Sequence, residues 1–424
     1  MSLTRNQTII IGAGVVVVIV IVLILVGVLP GLQSPTDKPP AVTLTVWGID
    51  DQPAFNALID GYKKIRPNAS VLYAQIPEAS YEENLVNSLA AGTGPDVFMI
   101  PNGLIRKHGG KMLAAPANQL SLGMLRQLFP QVVEQNLVVQ NQIYSLPLYL
   151  DTLALFYNKD IFDAKTISLP PQTWKDFQNI IPKIRENNES NQIVKAAAAI
   201  GGSKISIKSA SDILNLLMMQ FGNPKVTTEE SINFDDQGLQ ALNFYLQFAN
   251  PVSPSYTWND NLGNSIDNFS QGKTAMIFAY NGDAPLIKAK SPFLNFGIAA
   301  MPQFNLSQPV NQPNYWGLAV SRQTKKAVWA WDFIINTTTN QLIIENYIQI
   351  KDQSPGLRTL IQNYVNDPNL GVFVKQALTA RAWPEPDHNL VGQSFSNGIA
   401  SVLTGQVSPK QALDRITNEI NALQ

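Results

Sequence analysis

The chain has 424 residues, 14% of them charged, and a formal net charge of -1. This length exceeds what one small hydrophobic core can serve, so we expect two lobes. The near-neutral charge argues against a nucleic-acid partner, because such proteins concentrate Lys and Arg. The sequence has no cysteine, which excludes disulfides, zinc–thiolate sites, thiol catalysis and lipid anchors on cysteine.

The first element in the chain is an unbroken apolar run from Ile9 to Leu29. About 20 apolar residues match the hydrocarbon thickness of a bilayer, and no clear small-x-small cleavage site follows them. We therefore predict an uncleaved transmembrane helix over residues 9–29. Arg5 precedes the run, which favours a cytoplasmic tail over residues 1–8 and an extracytoplasmic position for the rest. The Pro-rich residues 30–41 are predicted to be a linker.

Strand and helix patterns alternate from Val42 onward. Short runs rich in β-formers predict strands at Val42–Gly48, Ser70–Ile76 and Asp96–Ile100. A helical apolar spacing over Ala54–Ile65 separates the first two strands, and a helix capped by Ser80 is predicted to separate the next two. This β-α-β-α-β order predicts a parallel sheet with right-handed crossovers.

The pattern continues through the rest of the chain. Strands are predicted in residues 151–158, 294–302 and 314–321, and helices in residues 209–222, 238–249, 325–339 and 408–423. One stretch, Ser270-Gln271-Gly272-Lys273-Thr274-Ala275-Met276, contains the Gly-Lys-Thr of phosphate-binding loops. Asp267 stands where such a loop needs glycine, so a nucleotide site is not predicted. We expect Gly272 to end a helix and a strand to follow it.

Five stretches together resemble one family, the extracellular solute-binding proteins of ABC importers (family 1, maltose-binding-protein-like). The resemblance runs from Val42 to the end of the chain. The stretches that carry it are Leu44–Asp51 (LTVWGIDD), Leu89–Asn102 (LAAGTGPDVFMIPN), Ser145–Phe162 (SLPLYLDTLALFYNKDIF), Phe269–Asp283 (FSQGKTAMIFAYNGD) and Tyr315–Ile334 (YWGLAVSRQTKKAVWAWDFI).

The resemblance implies an α/β, two-lobed, periplasmic-binding-protein-like fold of type II, with ligand held in a cleft that closes by hinge bending. The expected lobes are residues 42–149 with 302–338, and residues 150–301 with 339–424. The implied function is capture of a small polar solute, a carbohydrate first of all, outside the cytoplasm. The implied partners are the membrane subunits of an ABC importer and the membrane itself through residues 9–29, with no cofactor and no metal.

Residues at strand ends are the first candidates for ligand contact. Trp47 closes the first strand, and Asp50 and Asp51 follow it in the turn. An indole can stack on the apolar face of a sugar, while a carboxylate accepts hydrogen bonds from hydroxyl groups. Asn102 follows the third strand at its carboxyl end, where open α/β sheets place ligands.

The resemblance adds further candidates. It places Tyr149 and Asp151 in the first crossing between lobes, with Asp151 where family members often carry a sugar-binding carboxylate. Family members commonly have a tryptophan shortly after the Ala-Met of the fourth stretch, whereas this chain has tyrosine. The aromatic candidates outside predicted helices are Trp258, Tyr280, Trp316 and Trp383.

Two other readings of the sequence stay open. A peptide or another polar solute could occupy the same fold. A surface glycosidase needs a pair of carboxyl groups, for which Asp50–Asp51 or Asp235–Asp236 could be offered, but no hydrolase motif accompanies them. His108 and His388 lie far apart and in no metal-ligand spacing, so we expect each to be solvated or hydrogen-bonded. We therefore predict a binding protein and not an enzyme.

Overall fold

The computed structural model describes residues 18, 20, 22–23, 41–190, 192–227 and 231–423. In that part of the chain, no helix is both long and apolar enough to cross a bilayer. The transmembrane helix predicted over residues 9–29 lies almost wholly outside the described residues. The predicted tail over residues 1–8 lies outside them completely, as does all but the last residue of the predicted linker.

The first lobe is built on a sheet whose central strands are parallel. Val42–Gly48 lies between Ala69–Gln75 and Val97–Pro101, and it pairs one-to-one with the former, from Val42 opposite Ala69 to Gly48 opposite Gln75. This arrangement confirms the predicted β-α-β-α-β unit. Trp316–Ser321 adds an antiparallel strand beside Val97–Pro101. The remaining strands of this sheet are Met112–Leu113 and Ser145–Pro147.

Helices cover both sides of this sheet. They bury apolar faces against it; Phe55, Leu58 and Tyr62, for example, are completely buried. The second helix begins at Glu78 after Pro77, and not at Ser80 as predicted, because Ser80 already lies within its first turn. The helices of this lobe are Gln52–Ile65, Glu78–Ala90, Ile105–His108, Leu122–Leu128, Gln131–Leu137, Ala327–Thr339, Gln341–Lys351 and Arg358–Tyr364.

The second lobe has its own sheet and its own core. Its strands lie in the spatial order Glu186–Asn187, Ile193–Ala198, Thr274–Ala279, Ala154–Asn158 and Phe296–Ala299. Its helices are Lys159–Ala164, Trp174–Ile184, Ala210–Gln220, Asp236–Leu246, Ser265–Ser270, Ala284–Lys290, Gly371–Ala377, His388–Leu403 and Pro409–Asn421. Short antiparallel pairs outside both sheets are Val138–Val139 with Gln142–Ile143, Lys225–Val226 with Ile232–Asn233, and Asp151–Thr152 with Pro313–Asn314.

The Gly-Lys-Thr stretch connects a helix to a strand of the second lobe. The helix Ser265–Ser270 ends just before Gly272, which has φ +70°, and the buried strand Thr274–Ala279 follows. Glycine is favoured here because an L side chain rarely adopts this conformation. The order of elements is the reverse of a phosphate-binding loop, as the sequence predicts.

Two segments cross between the lobes side by side. Asp151–Thr152 pairs antiparallel with Pro313–Asn314. On either side of this pair, Leu153 N donates to Gln312 O at 3.0 Å and Leu148 N donates to Trp316 O at 2.9 Å. The second lobe is attached to the first crossing through a buried side chain of the helix Gly371–Ala377: Gln376 Nε2 donates to Thr152 Oγ1 and Leu153 O, both at 3.0 Å.

The two cores place the third crossing later in the chain than predicted. Leu150 belongs to the first core and Leu153 to the second, whereas Tyr315 belongs to the first core again. The buried side chains of the helix Gln341–Lys351 pack in the first core, and so does Leu360. The chain therefore returns to the second lobe after Leu360 and not after residue 338. An apolar helix face looks the same in sequence whichever lobe it covers, so periodicity alone does not locate this crossing.

Candidate functional site

Two neighbouring cavities lie where the lobes face each other, and His388 lines both. The larger has a volume of about 280 Å³, and the smaller, at about 20 Å³, has room for little more than one water. The larger cavity is lined by Glu78, Tyr81, Glu82, Leu85, Met99, Ile100, Pro101, Leu104, His108, Asn314, Trp316, His388 and Asn389. The smaller is lined by Asn102, Gly103, Arg106, Gln135, Asn136, Asn215, Gln312, Pro313, Ala382, Trp383, Pro384, Glu385 and His388.

An aromatic pair forms one wall of the larger cavity. Trp316 begins its strand at the edge of the cleft, and Tyr81 packs against it edge to face with ring centroids 5.6 Å apart. The Tyr81 hydroxyl lies 2.9 Å from Met99 O and 3.1 Å from Trp47 O. These contacts fix the Tyr81 ring, so the pair is a rigid apolar surface beside polar groups.

Amide side chains converge on the smaller cavity. Asn102 accepts a hydrogen bond from Tyr315 N at 3.1 Å and donates to Asn136 Oδ1 at 3.3 Å. From the second lobe, Asn215 Oδ1 accepts from the Trp383 indole at 2.8 Å, and Asn215 Nδ2 donates to Glu385 Oε1 at 3.0 Å. Amides both donate and accept, so this wall of the cleft carries mixed hydrogen-bonding groups that are satisfied within the protein.

A set of polar contacts joins the lobes at the border of the larger cavity. Lys107 Nζ lies 2.7 Å from Glu82 Oε1 in its own lobe and 2.8 Å from Asp387 Oδ2 in the other. Asn389 Nδ2 donates to Glu82 Oε2 at 3.1 Å. We call Glu82, Lys107, Asp387 and Asn389 the interlobe bridge. Asp387 is held in place because its Oδ1 caps the helix His388–Leu403.

The two histidines lie on opposite walls of the larger cavity. His108 Nε2 lies 2.9 Å from Glu82 Oε1, and burial lowers the pKa of this imidazole. His388 Nδ1 lies 2.5 Å from Glu385 Oε2; burial opposes protonation, but the Glu385 carboxylate prevails and raises the pKa of His388 to about 9. His388 is therefore cationic at neutral pH, while His108 is neutral. Both are hydrogen-bonded, as expected, although the sequence did not predict that they share a cavity.

Three of the predicted site residues line these cavities: Asn102 and Trp383 the smaller, and Trp316 the larger. The structure thereby brings together the end of a first-lobe strand, the start of another, and a second-lobe loop. The predicted residues that line neither cavity are Trp47, Asp50, Asp51, Tyr149, Asp151, Trp258 and Tyr280.

Two of the three carboxylates predicted as ligand acceptors, Asp50 and Asp151, are engaged by the protein. Asp50 is buried, accepts from the Tyr347 hydroxyl at 2.6 Å and pairs with Lys351 at 3.0 Å. Asp51 stands exposed before the first helix. Asp151 is buried, and its carboxylate accepts from the backbone N–H groups of Thr152, Asn281 and Gly282.

This position changes the role of Asp151. Burial raises its pKa to about 7, although the three N–H donors favour the charged form. Two of these hydrogen bonds, from Asn281 and Gly282, tie the first crossing to a turn of the second lobe, and the third stays within the crossing. In this arrangement Asp151 supports the crossing, and it lines neither cavity.

The remaining predicted aromatics pack inside the lobes. Trp258 is completely buried in the second core and donates to Ser206 Oγ at 3.0 Å, so the predicted ligand contact is wrong. The Tyr280 hydroxyl donates to the half-buried Asp212 at 2.9 Å. Trp47 and Tyr149 are half-buried and pack against the first core.

Several lining residues escaped the sequence reasoning. Tyr81 and Glu82 lie in a helix whose pattern only predicted packing and solvent exposure, and His388 and Asn389 open a late helix. The signal that could have located them is their position in the first two turns of a helix that follows a strand or loop at the cleft. Among the residues that the structure describes, no group of three His, Asp or Glu could hold a metal ion.

The chain matches one protein family and several characterised proteins. The family described as bacterial extracellular solute-binding protein matches residues 48–341. A maltotriose-binding protein of Pyrococcus abyssi is 24% identical over 323 residues, which is 74% of this chain and 65% of that protein. The chain thus spans slightly less than two thirds of that relative. A galactooligosaccharide-binding protein of Bacillus subtilis is 24% identical over 402 residues, covering 88% of this chain and 87% of the relative.

Solved structures share the two-lobed architecture. The sugar-binding protein MalE of Xanthomonas citri superposes with a TM-score of 0.75 at 18% identity, covering 90% of this chain and 97% of the other. A solute-binding protein of Thermotoga lettingae bound to α-D-tagatose gives a TM-score of 0.69 at 21% identity, with 90% and 99% covered. At such identities the likeness shows the fold. The family match spans well over half of the sequence and both core-forming regions, and the chain thus belongs to the family of bacterial extracellular solute-binding proteins.

Proposed function

We propose that this protein captures a carbohydrate in the cleft between its lobes and releases it unchanged to an ABC importer. The observation that carries the proposal is the composition of the cleft: the Tyr81–Trp316 pair stands beside amide, carboxylate and imidazole groups. An aromatic face with convergent donors and acceptors suits the alternating apolar and hydroxyl surfaces of a sugar. The sugar-binding relatives support this choice of ligand class.

Capture requires the lobes to move. A ligand that touches both walls gains its full set of contacts only when the lobes meet, so it shifts the population toward the closed form. The paired crossings at Asp151–Thr152 and Pro313–Asn314 are the proposed hinge. Residues 9–29 would hold the binding domain at the outer face of the cell membrane, within reach of the importer's membrane subunits.

A peptide or another polar solute is the second candidate. The cleft contains acidic groups at Glu78, Glu82 and Glu385 and a cationic His388, and these could meet the termini of a peptide. Glu82 and Glu385 are, however, already bonded within the protein. The cleft therefore has few charged groups left to bind the charged termini of a peptide. This favours an uncharged ligand such as a sugar.

Calorimetric titration of residues 42–424 with saccharides, amino acids and short peptides tests the proposal. We expect at least one saccharide to bind with micromolar or tighter affinity and to be recovered intact by chromatography. Small-angle scattering at saturation should then show a smaller radius of gyration. Binding of peptides alone, or recovery of a cleaved sugar, would overturn the proposal.

A further inference from the structure

His388 has one ring nitrogen that is bound within the protein and one that is not. Nδ1 lies 2.5 Å from Glu385 Oε2, whereas no residue in the described part of the chain hydrogen-bonds to Nε2. Gly103 of the opposite lobe covers the Nδ1 side of the ring, because a Cβ added to this glycine would lie 3.2 Å from Nδ1. The side chain is nevertheless 38% exposed and lines both cavities. The exposed edge of the ring is therefore the Nε2 edge, and it faces the cleft.

A chain of hydrogen bonds fixes the orientation of this ring. The Trp383 indole donates to Asn215 Oδ1 at 2.8 Å, and Asn215 Nδ2 donates to Glu385 Oε1 at 3.0 Å. The other oxygen of Glu385 holds His388 Nδ1. Trp383 and Asn215 are buried, so the bond between them forms away from solvent and is correspondingly strong. The imidazole is therefore held in one position before a ligand arrives.

The contact with Glu385 also decides what Nε2 can do. A carboxylate only accepts hydrogen bonds, so Nδ1 keeps its hydrogen in both charge states of the ring. Nε2 then carries a hydrogen only when the ring is cationic, and it becomes an acceptor when the ring is neutral. Burial opposes protonation, but Glu385 raises the pKa of His388 to about 9, so Nε2 is a donor at neutral pH.

We infer that His388 is a ligand-binding residue and that its Nε2–H group donates to a hydroxyl oxygen of the bound sugar. This inference rests on the proposed carbohydrate-binding function. Trp383, Asn215 and Glu385 act through His388 as positioning residues. Glu385 already balances the charge of the imidazole, so the site suits an uncharged oxygen rather than a carboxylate. Trp316 lines the same cavity, and a sugar ring can stack on it while it bonds to His388.

Charged and titratable groups from both lobes face His388. In the second lobe they are Glu385, Asp387, Asp212 and Tyr280. In the first lobe they are Glu78, Tyr81, Glu82, Arg106, Lys107 and His108. Burial opposes the charge of Lys107, but hydrogen bonds to Asp387 and Glu82 prevail and raise its pKa; burial raises the pKa of Tyr81 and lowers that of His108. Lys107 and Tyr81 therefore lose their protons at higher pH than His388 does, and His108 at lower pH.

The first test is the pH dependence of sugar binding to the full chain in a detergent without a sugar head group. D-Glucose, D-galactose, D-mannose and their disaccharides are titrated at pH 7, and the tightest of them is then titrated from pH 6 to 10. These sugars are uncharged, so a change in affinity reports on the protein. We expect constant affinity up to about pH 8 and a loss of about threefold or more by pH 10, because the neutral ring no longer donates from Nε2.

Three variants assign this loss to His388. His388→Gln should bind the same sugar about tenfold more weakly at pH 7 and show no further loss up to pH 10, because glutamine does not titrate. Glu385→Gln should keep the loss but move it to lower pH, since the carboxylate that raises the pKa of His388 is removed. His108→Gln is the control on the opposite wall, and its pH profile should follow that of the parent. Equal affinity of the parent and His388→Gln would overturn the inference and leave the carbohydrate function intact, whereas failure of every sugar to bind would overturn both.

Deoxy analogues separate a direct contact from an effect on lobe closure. Each monodeoxy form of the tightest sugar is titrated with the parent and with His388→Gln. If Nε2 bonds to one hydroxyl group, the analogue without that group should bind both proteins equally, while the others keep the difference of about tenfold. The same ratio of parent to variant affinity for every analogue would mean that His388 acts only through closure, and it would contradict the contact.

Discussion

His388 holds a positive charge where the two lobes meet. Its ring faces the acidic groups Glu385, Asp212 and Asp387, and the first of these prevails over burial to raise the imidazole pKa to about 9. The ordinary value for histidine is about 6.5, so the folded protein binds this proton more tightly than the unfolded chain does. The resulting stabilisation is fully present below about pH 6.5 and is lost as the pH rises through about 9.

Because the pKa of His388 is raised on folding, the stability of the variant His388→Gln should depend on pH in a defined direction. We expect the variant to melt at a lower temperature than the parent at pH 7, and the difference to shrink as the pH is raised to 10. Glutamine keeps a hydrogen-bond donor but cannot carry the charge. The variant therefore lacks the stabilisation that the parent gains from the protonated imidazole. The measurement is the melting temperature of both proteins across this range.

His108→Gln is the matched control on the opposite wall. Burial lowers the pKa of His108, so this ring is already neutral at pH 7 and does not titrate above it. Its effect on the melting temperature should therefore stay constant between pH 7 and 10. If the difference in melting temperature between the parent and His388→Gln also stays constant between pH 7 and 10, His388 is not charged at neutral pH.

One close contact between the lobes is made by the short turn Asn102–Leu104 against the start of the helix His388–Leu403. A Cβ atom added to Gly103 would lie 2.7 Å from His388 Cγ and closer still to its Cβ. The neighbouring atoms belong to the opposite lobe, so the clash exists only when the lobes meet. Opening the cleft relieves it without disturbing either core.

Gly103→Ala should therefore weaken ligand binding by tenfold or more and leave the melting temperature of the unliganded protein nearly unchanged. The reason is that the closed form becomes less favourable, and the apparent affinity falls with its population. Calorimetric titration and thermal melting provide the two measurements. Gly109→Ala is the control, because a Cβ added there meets nothing within 4 Å. Equal affinity of the two variants would argue against closure at this contact.

Much of this arrangement of elements follows from local sequence patterns. Strand and helix periodicity predicted the parallel unit after Val42, and a glycine with positive φ ended the helix before Thr274 as expected. The lobe that carries Gln341–Lys351 could not be predicted, because an apolar helix face does not specify which sheet it covers. Contacts between segments far apart in sequence determine which lobe this helix joins.

The site was predictable only in part for a similar reason. Asn102 and Trp316 stand at strand ends, and topology brings those ends to the cleft. Trp258 and Asp151 carry the right chemistry, but a buried hydroxyl and three backbone N–H groups, respectively, already use their polar atoms. Side-chain competition of this kind depends on contacts between segments far apart in sequence.

For the whole molecule, the proposed anchor over residues 9–29 makes a direct prediction. The full chain should remain with membranes after washing at high salt and at alkaline pH, because about 20 apolar residues bind a bilayer far more strongly than surface charges do. The chain shortened to residues 42–424 is the control and should be released. Recovery of the natively expressed protein in the soluble fraction, with an N-terminus near Gln33, would contradict the anchor.

The pairing of the first strand has a mechanical consequence. Val42–Gly48 lies inside its sheet and is parallel to Ala69–Gln75 over its full length. A pull at residue 42 directed along the strand would strain this ladder in shear, so that its hydrogen bonds would share the load and would not be peeled apart one by one. A tether to this strand would therefore transmit tension into the first lobe along a full-length strand pair, and the second lobe would remain unloaded and able to rotate.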